Sequence, residues 1–138
     1  MNILIIDGQG GNLGRQLVKA IRERFPEQLI TAVGTNAIAT SNMLKSSPHR
    51  AATGENAVAV ACRQADVILG PVGIVITDAL LGEVTETMAA AVGRSAAVRI
   101  LIPMSRCETF VAGVKDSGTG ALIADALEKL GGILENRG

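Results

Sequence analysis

Apolar positions along this chain follow two alternating periods. Residues 2–6, Asn-Ile-Leu-Ile-Ile, form a short strand-like run that enters a turn containing Gly8, Gly10 and Gly11. From Gly14 the period is helical. Leu13, Leu17, Ala20 and Ile21 share one face, Arg15, Lys19, Arg22 and Glu23 lie elsewhere, and Pro26 stops the segment. Residues 28–33, rich in β-branched side chains, predict a second strand ending at Gly34. Strand, helix and strand within about thirty residues make a right-handed βαβ unit.

Asn36 is placed to cap a helix reaching Lys45, which Ser46-Ser47-Pro48 breaks. Thr53 is expected to cap another over 55–64, where Val58, Ala61, Cys62 and Ala65 share a face. Ala57, Ala59 and Val60 leave little of that helix polar, so it should be buried on more than one side, by the sheet or by another subunit. Residues 66–69 predict a third strand, ending in Gly70-Pro71-Val72-Gly73. The run 74–81 starts β-branched but falls where a crossover is due, and it reads as helix. A further helix over 85–94 carries Met88, Ala89 and Val92. Residues 98–102 are the fourth strand, closed by Pro103, and 110–112 a short fifth. Ser117 caps a final helix with Leu122, Ile123, Ala126, Leu127 and Leu130 inward and Gly131 as its C′ residue. This alternation selects an α/β fold: one domain over residues 1–138, with a mainly parallel sheet of four to five strands and helices on both faces.

Composition narrows the reading. Hydrophobic residues make up 48% of the 138, yet Phe25 and Phe110 are the only aromatics. The core must be Ile, Val, Leu and Ala, as in parallel strands covered on both faces. Thirteen basic residues balance thirteen acidic ones, which argues against a nucleic-acid partner, and there are few rings on which to stack bases. Cys62 and Cys107 are too few for a disulfide framework and read as reduced thiols of a cytosolic protein. Asp7 interrupts the N-terminal apolar run with no basic stretch before it, unlike a signal peptide. Gly70, Pro71, Gly73 and Asp78 break the most apolar later window. A cytoplasmic protein that binds no membrane is expected, with no metal site.

Ligands of an open parallel sheet bind beyond the carboxyl ends of its strands. Four stretches fall there: 7–14, 34–36, 70–73 and 103–107. In the first, Gly8, Gly11 and Gly14 form G-x-x-G-x-x-G, with backbone N–H groups at a helix N-terminus whose dipole favours an anion. The candidate cofactor-binding residues here are Asp7, Gly8, Gln9, Gly10, Gly11, Asn12, Leu13 and Gly14, although a carboxylate at Asp7 would repel a pyrophosphate. Gly34, Thr35 and Asn36 would lie by an adenosine ribose, and Gly70, Pro71, Val72 and Gly73 would border the other half of the cleft. Arg106 is a candidate anion clamp. The competing reading is a glycine turn that only lets the first helix pack tightly on the sheet.

Asp7 has two possible roles: an Asx-type bond to the loop's own N–H groups, or a hold on a ligand hydroxyl, amine or cation. No acid stands about twenty residues beyond the glycines, where one would take a ribose 2′-hydroxyl. Lys45 or Arg50 beside a 2′-phosphate would suit NADP instead. Chemistry has few candidates. His49, the only histidine, falls in a loop where solvent exposure is the simpler role. Cys107 beside Arg106 is a candidate thiolate, although buried inert thiols are commoner. Glu55 and Asn56 could reach a sugar if their segment folds back. Capping or surface roles suffice for Asp78 and Glu83.

The glycine spacing, between a strand and a helix, resembles the extended short-chain dehydrogenase/reductase form of the dinucleotide fingerprint, which implies NAD or NADP. That family's Tyr-x-x-x-Lys pair has no counterpart, because the chain contains no tyrosine. Taken together, IDGQGGNLG, VGTNAIATSNMLK, ATGENAV, GPVGIVITDALLGEVT and ILIPMSRC resemble a group of short bacterial proteins of unknown function. That resemblance implies a three-layer Rossmann-like fold and brings no activity with it. The expected function is binding of a phosphate-bearing nucleotide, NAD(P)-like before mononucleotide. Its rivals are a non-catalytic nucleotide sensor and an assembly module with a structural glycine loop. At least a dimer is expected, formed through 55–64 and 74–81.

Overall fold

Successive residues of the first strand bury in opposite directions, and this sets the layers. In the computed structural model, which describes residues 1–104, 109–115 and 118–137, β1 spans Asn2–Asp7. Ile3 and Ile5 join one core and Leu4 and Ile6 the other, as the two-residue period of a strand dictates. The other strands are β2 (Leu29–Gly34), β3 (Arg50–Thr53), β4 (Val67–Pro71) and β5 (Val98–Ile102). All pair in parallel, in the order β3-β2-β1-β4-β5. This is the doubly wound arrangement expected from the alternation of elements, and its strand order reverses between β1 and β4.

One core lies under α1 (Asn12–Arg24), α2 (Ala37–Leu44) and α5 (Thr119–Arg137). There Leu17, Val18, Ile21, Met43, Ile123 and Leu127 pack on Ile3, Ile5, Ile30, Leu69 and Ile102. The other lies under α3 (Glu55–Gln64) and α4 (Glu86–Arg94), where Val58, Cys62, Ile74, Met88 and Val92 meet Leu4, Ile6, Val33 and Ile68. Each fully buried Ile, Leu or Val contributes roughly 1.5–3 kcal/mol. Among the described residues, no helix is long and apolar enough to cross a membrane.

Several elements differ from the sequence reading. The fifth strand is Arg50–Thr53, not 110–112. All four of its residues are exposed, so it carries no apolar alternation, and residues 110–112 form no strand. Thr53 does not cap α3. Its hydroxyl lies 2.7 Å from that of Thr40, and Gly54, at φ 103°, begins the helix without a side-chain cap. The run 74–81 is not a helix: a single 3-10 turn at Val72–Val75 gives way to a compact loop. Gly131 does not end α5. The helix continues to Arg137, since Ile133 and Leu134 pack on the core and a Cβ on Gly131 would stand only 3.4 Å from the Phe25 ring. Asn36 does cap α2, accepting the Ala39 N–H at 2.8 Å. Ser117 lies outside the described residues.

Candidate functional site

At the carboxyl edge of the sheet, Asp7 ends β1 inside the glycine loop, almost wholly buried. Its Oδ1 accepts the Gly8 N–H at 2.8 Å, and its Oδ2 accepts the Gly14 N–H at 2.7 Å. Of the two roles open to it, the bond to the loop's own amides is the one observed. Burial pushes the Asp7 carboxyl above its ordinary 3.8. The bonds from Gly14 and Gly8 oppose that shift and the nearby charge of Glu83 adds to it.

Glu83 reaches the same loop from the other side. One of its oxygens, Oε1, accepts the Gln9 N–H at 2.8 Å, the Thr35 hydroxyl at 2.8 Å and the Asn36 side-chain amide at 2.6 Å. Partial burial works against the charge, but those three donors hold the Glu83 carboxyl below its ordinary 4.5. The end of β2, which lacks an acid of its own, thus holds a carboxylate supplied from 48 residues further on. No local pattern signals that pairing; the only sequence cue is the turn residue Gly82 just before Glu83.

The glycines of the motif answer to the protein's own packing. A Cβ on Gly8 would stand 2.6 Å from the Thr35 hydroxyl and 2.7 Å from the Leu80 side chain. Gly11 has φ +74°, and a Cβ there would stand 2.6 Å from the Ala39 carbonyl. A Cβ on Gly14 would collide with Met43 and stand 2.8 Å from Asp7 Cβ. Gly34 and Gly70 are likewise closed in, by Thr40 and by the backbone of Ile6. Gly10, which the G-x-x-G-x-x-G spacing leaves out, is the exception: it is exposed, and its nearest neighbour to a Cβ is 3.9 Å away.

Above Gly10 opens a cavity of about 390 Å³ between the loops that follow β1 and β4, where the strand order reverses. Residues 7–13, Pro71, Leu80, Leu81 and Met104 line it. Within the loop, the amides of Gly8 and Gly14 go to Asp7, that of Gln9 to Glu83 and that of Gly11 to the Gly8 carbonyl. Among the described residues, the amides of Gly10, Asn12 and Leu13 have no hydrogen-bond partner. Its floor is therefore polar and its walls are leucine, proline and methionine.

The structure gathers only part of the expected site. Asp7, Gly8, Gln9, Gly10, Gly11, Asn12, Leu13 and Pro71 line the cavity. Gly14, Gly34, Thr35, Asn36, Gly70, Val72 and Gly73 do not. Thr35 and Asn36 are occupied by Glu83 rather than open to a ribose. Arg50 begins β3 and Lys45 follows α2, so both sit at the opposite, amino end of the sheet, and the Arg50 Nε bonds Thr31. Glu55 and Asn56 are exposed at the start of α3 and do not line the cavity. His49 is exposed, as expected, with its Nδ1 accepting the Ile30 N–H at 3.0 Å. Burial pushes the Cys62 thiol up to about 11, which suits an inert core residue. Arg106 and Cys107 lie outside the described residues. Leu80, Leu81 and Met104 were not foreseen as site residues.

Fold and cavity together define a Rossmann-like α/β protein with an open volume at its topological switch point. The chain belongs to the family described as "Domain of unknown function (DUF3842)", whose model matches residues 2–135. No curated protein and no solved structure matches it.

Proposed function

We propose that this protein binds a phosphate-bearing nucleotide, NAD(P)-like, in the switch-point cavity. One observation carries the reading. Gly10, Asn12 and Leu13, whose amides have no hydrogen-bond partner among the described residues, line an open volume at the N-terminus of a 13-residue helix. Ligand pockets run from about 300 to 1,000 Å³, and 390 Å³ falls within that range. The resemblance of the glycine spacing to the extended dehydrogenase fingerprint supports the same choice. The charge nearby refines it. Asp7 and Glu83 lie against this loop, so a bridging pyrophosphate, with one charge on each phosphorus, is tolerated better there than a terminal monoester carrying two charges on one phosphorus.

A thermal-shift panel of NAD, NADP, FAD, ATP and GMP tests the reading. Binding only the folded state at 100 times Kd stabilises it by about 2.7 kcal/mol, or on the order of 10 °C for a chain of this size. NAD or NADP should give that shift and GMP much less. No shift with any of the five at millimolar concentration would leave the glycine loop a purely structural device. If a nicotinamide cofactor binds, turnover with a broad alcohol and aldehyde set separates an enzyme from a sensor.

A further inference from the structure

The wall of the cavity opposite Gly10 is a loop, residues 76–84, with an unusual backbone. Its ends are tied together: the Asp78 N–H donates to the Val84 carbonyl at 2.8 Å, and the Val84 N–H to the Ala79 carbonyl at 3.2 Å. Between them, Asp78, Leu80, Leu81 and Gly82 all have positive φ, at 67°, 57°, 57° and 89°. Two consecutive leucines in the left-handed region are rare, and strained residues of this kind gather at clamps and switches. At the tip, Leu81 is 96% exposed although it borders the cavity. Leu80 reaches over Gly8.

Val84 is fixed in the core and Ala79 and Leu80 are partly buried against it, whereas Thr77, Asp78, Leu81 and Gly82 are exposed, so residues 77–83 can swing about the joined ends while Val84 stays in place. The contacts that hold this tip to the glycine loop are the Leu80–Gly8 approach and the Glu83 carboxylate, whose three donors come from Gln9, Thr35 and Asn36. We infer that residues 77–83 are a lid held by Glu83 against the end of β2, and that a dinucleotide in the cavity extends past Thr35 and Asn36 once this latch opens. While latched, Glu83 takes the donors of Thr35 and Asn36, beside which an adenosine ribose is expected to lie. When the latch opens, Gln9, Thr35 and Asn36 offer three donors to the ligand's own oxygens. This rests on the proposed ligand for its occupant, but not for the motion itself.

Hydrogen exchange followed by NMR on the ligand-free full chain tests the motion. The reporter is the Gln9 amide, which Glu83 protects, read against Leu4 and Ile68 in the core strands. The Gln9 amide should exchange at least tenfold faster than those of Leu4 and Ile68, at a rate that does not change with low urea. Lid opening exposes little surface, unlike global unfolding. Glu83→Gln and Thr35→Val, which weaken the latch from opposite sides, should each speed Gln9 exchange several-fold further, with Gln9 still faster than Leu4 and Ile68 and still insensitive to low urea. Exchange of Gln9 in step with the core, with the same urea dependence, overturns the lid. So does a Gln9 exchange rate that neither variant changes. Titration of the wild-type protein with NAD is read separately: absence of binding removes the proposed occupant, while the exchange rates still decide whether the lid opens.

Discussion

Asp7 Oδ2 and the Gly14 amide lie 2.7 Å apart, so the helix end that would attract a phosphate already holds a carboxylate of its own. With the Gly8 amide on Oδ1, Asp7 acts as an internal brace for the loop. Replacing it with alanine leaves two buried N–H groups unpaired. Asp7→Ala should therefore cost roughly 2–4 kcal/mol, seen as a lower urea midpoint. A loss within error of zero would mean the loop re-forms without its brace.

The glycines separate into two kinds. Gly11→Ala puts a Cβ against the Ala39 backbone at a left-handed φ, and should destabilise by more than about 2 kcal/mol. Gly10→Ala meets open space and should stay within about 0.5 kcal/mol of wild type. Equal costs at the two positions would contradict this division.

Asp7 and Glu83 pull stability in opposite directions with pH. Glu83, held below its ordinary 4.5, contributes fully above that value and loses its contribution as pH falls through its folded pKa. Asp7, held above its ordinary 3.8, favours the folded state below that value, and the advantage is lost as pH rises through its folded pKa. In urea denaturation across pH, Glu83→Gln should flatten the acid limb below 4.5, and Asp7→Asn the decline above 3.8. Curves displaced in parallel, with slopes unchanged, would show that neither group titrates as described.

Assembly into at least a dimer is proposed on altered grounds. The run 74–81 is a loop rather than a helix, with Ile74 buried in the core and Leu81 exposed, so Leu81 is the large apolar side chain it would offer to an interface. The fully exposed edge strand β3, beside α2 with its exposed Ile38 and Leu44, is the better surface, because an open strand edge pairs readily. Light scattering at two concentrations should give a mass above that of one chain. A monomer at both concentrations rules the assembly out.

Much of the fold was legible because burial imposes period. Ile3 to Ile6, Leu13 to Ile21 and Val98 to Ile102 each carry the spacing of an element with a covered face. Arg50 to Thr53 escaped because an edge strand exposed along its whole length has no reason to alternate. Gly131 misled because Ile133 and Leu134 pack on the core and carry the helix past it, outweighing its low helix propensity. The location of the site was legible from the chain direction of the strands, but its contents were not. Glu83 meets Thr35 and Asn36 only through tertiary folding. The spacing of Gly8, Gly11 and Gly14, taken as a phosphate signature, is also what close packing on Thr35, Ala39 and Met43 demands. Gly10 and the cavity above it are the features of this loop that the protein's own packing does not explain.

Calorimetric titration of NAD and NADP into wild type and Gly10→Asp tests most directly whether this cavity holds a dinucleotide. The substitution places a carboxylate beside the three unpartnered amides, at a position with room for it. One of the two dinucleotides should bind the wild type saturably, and Gly10→Asp should lose at least tenfold in affinity with its urea midpoint unchanged. Equal affinity in the variant, or no heat with either dinucleotide, would contradict the account.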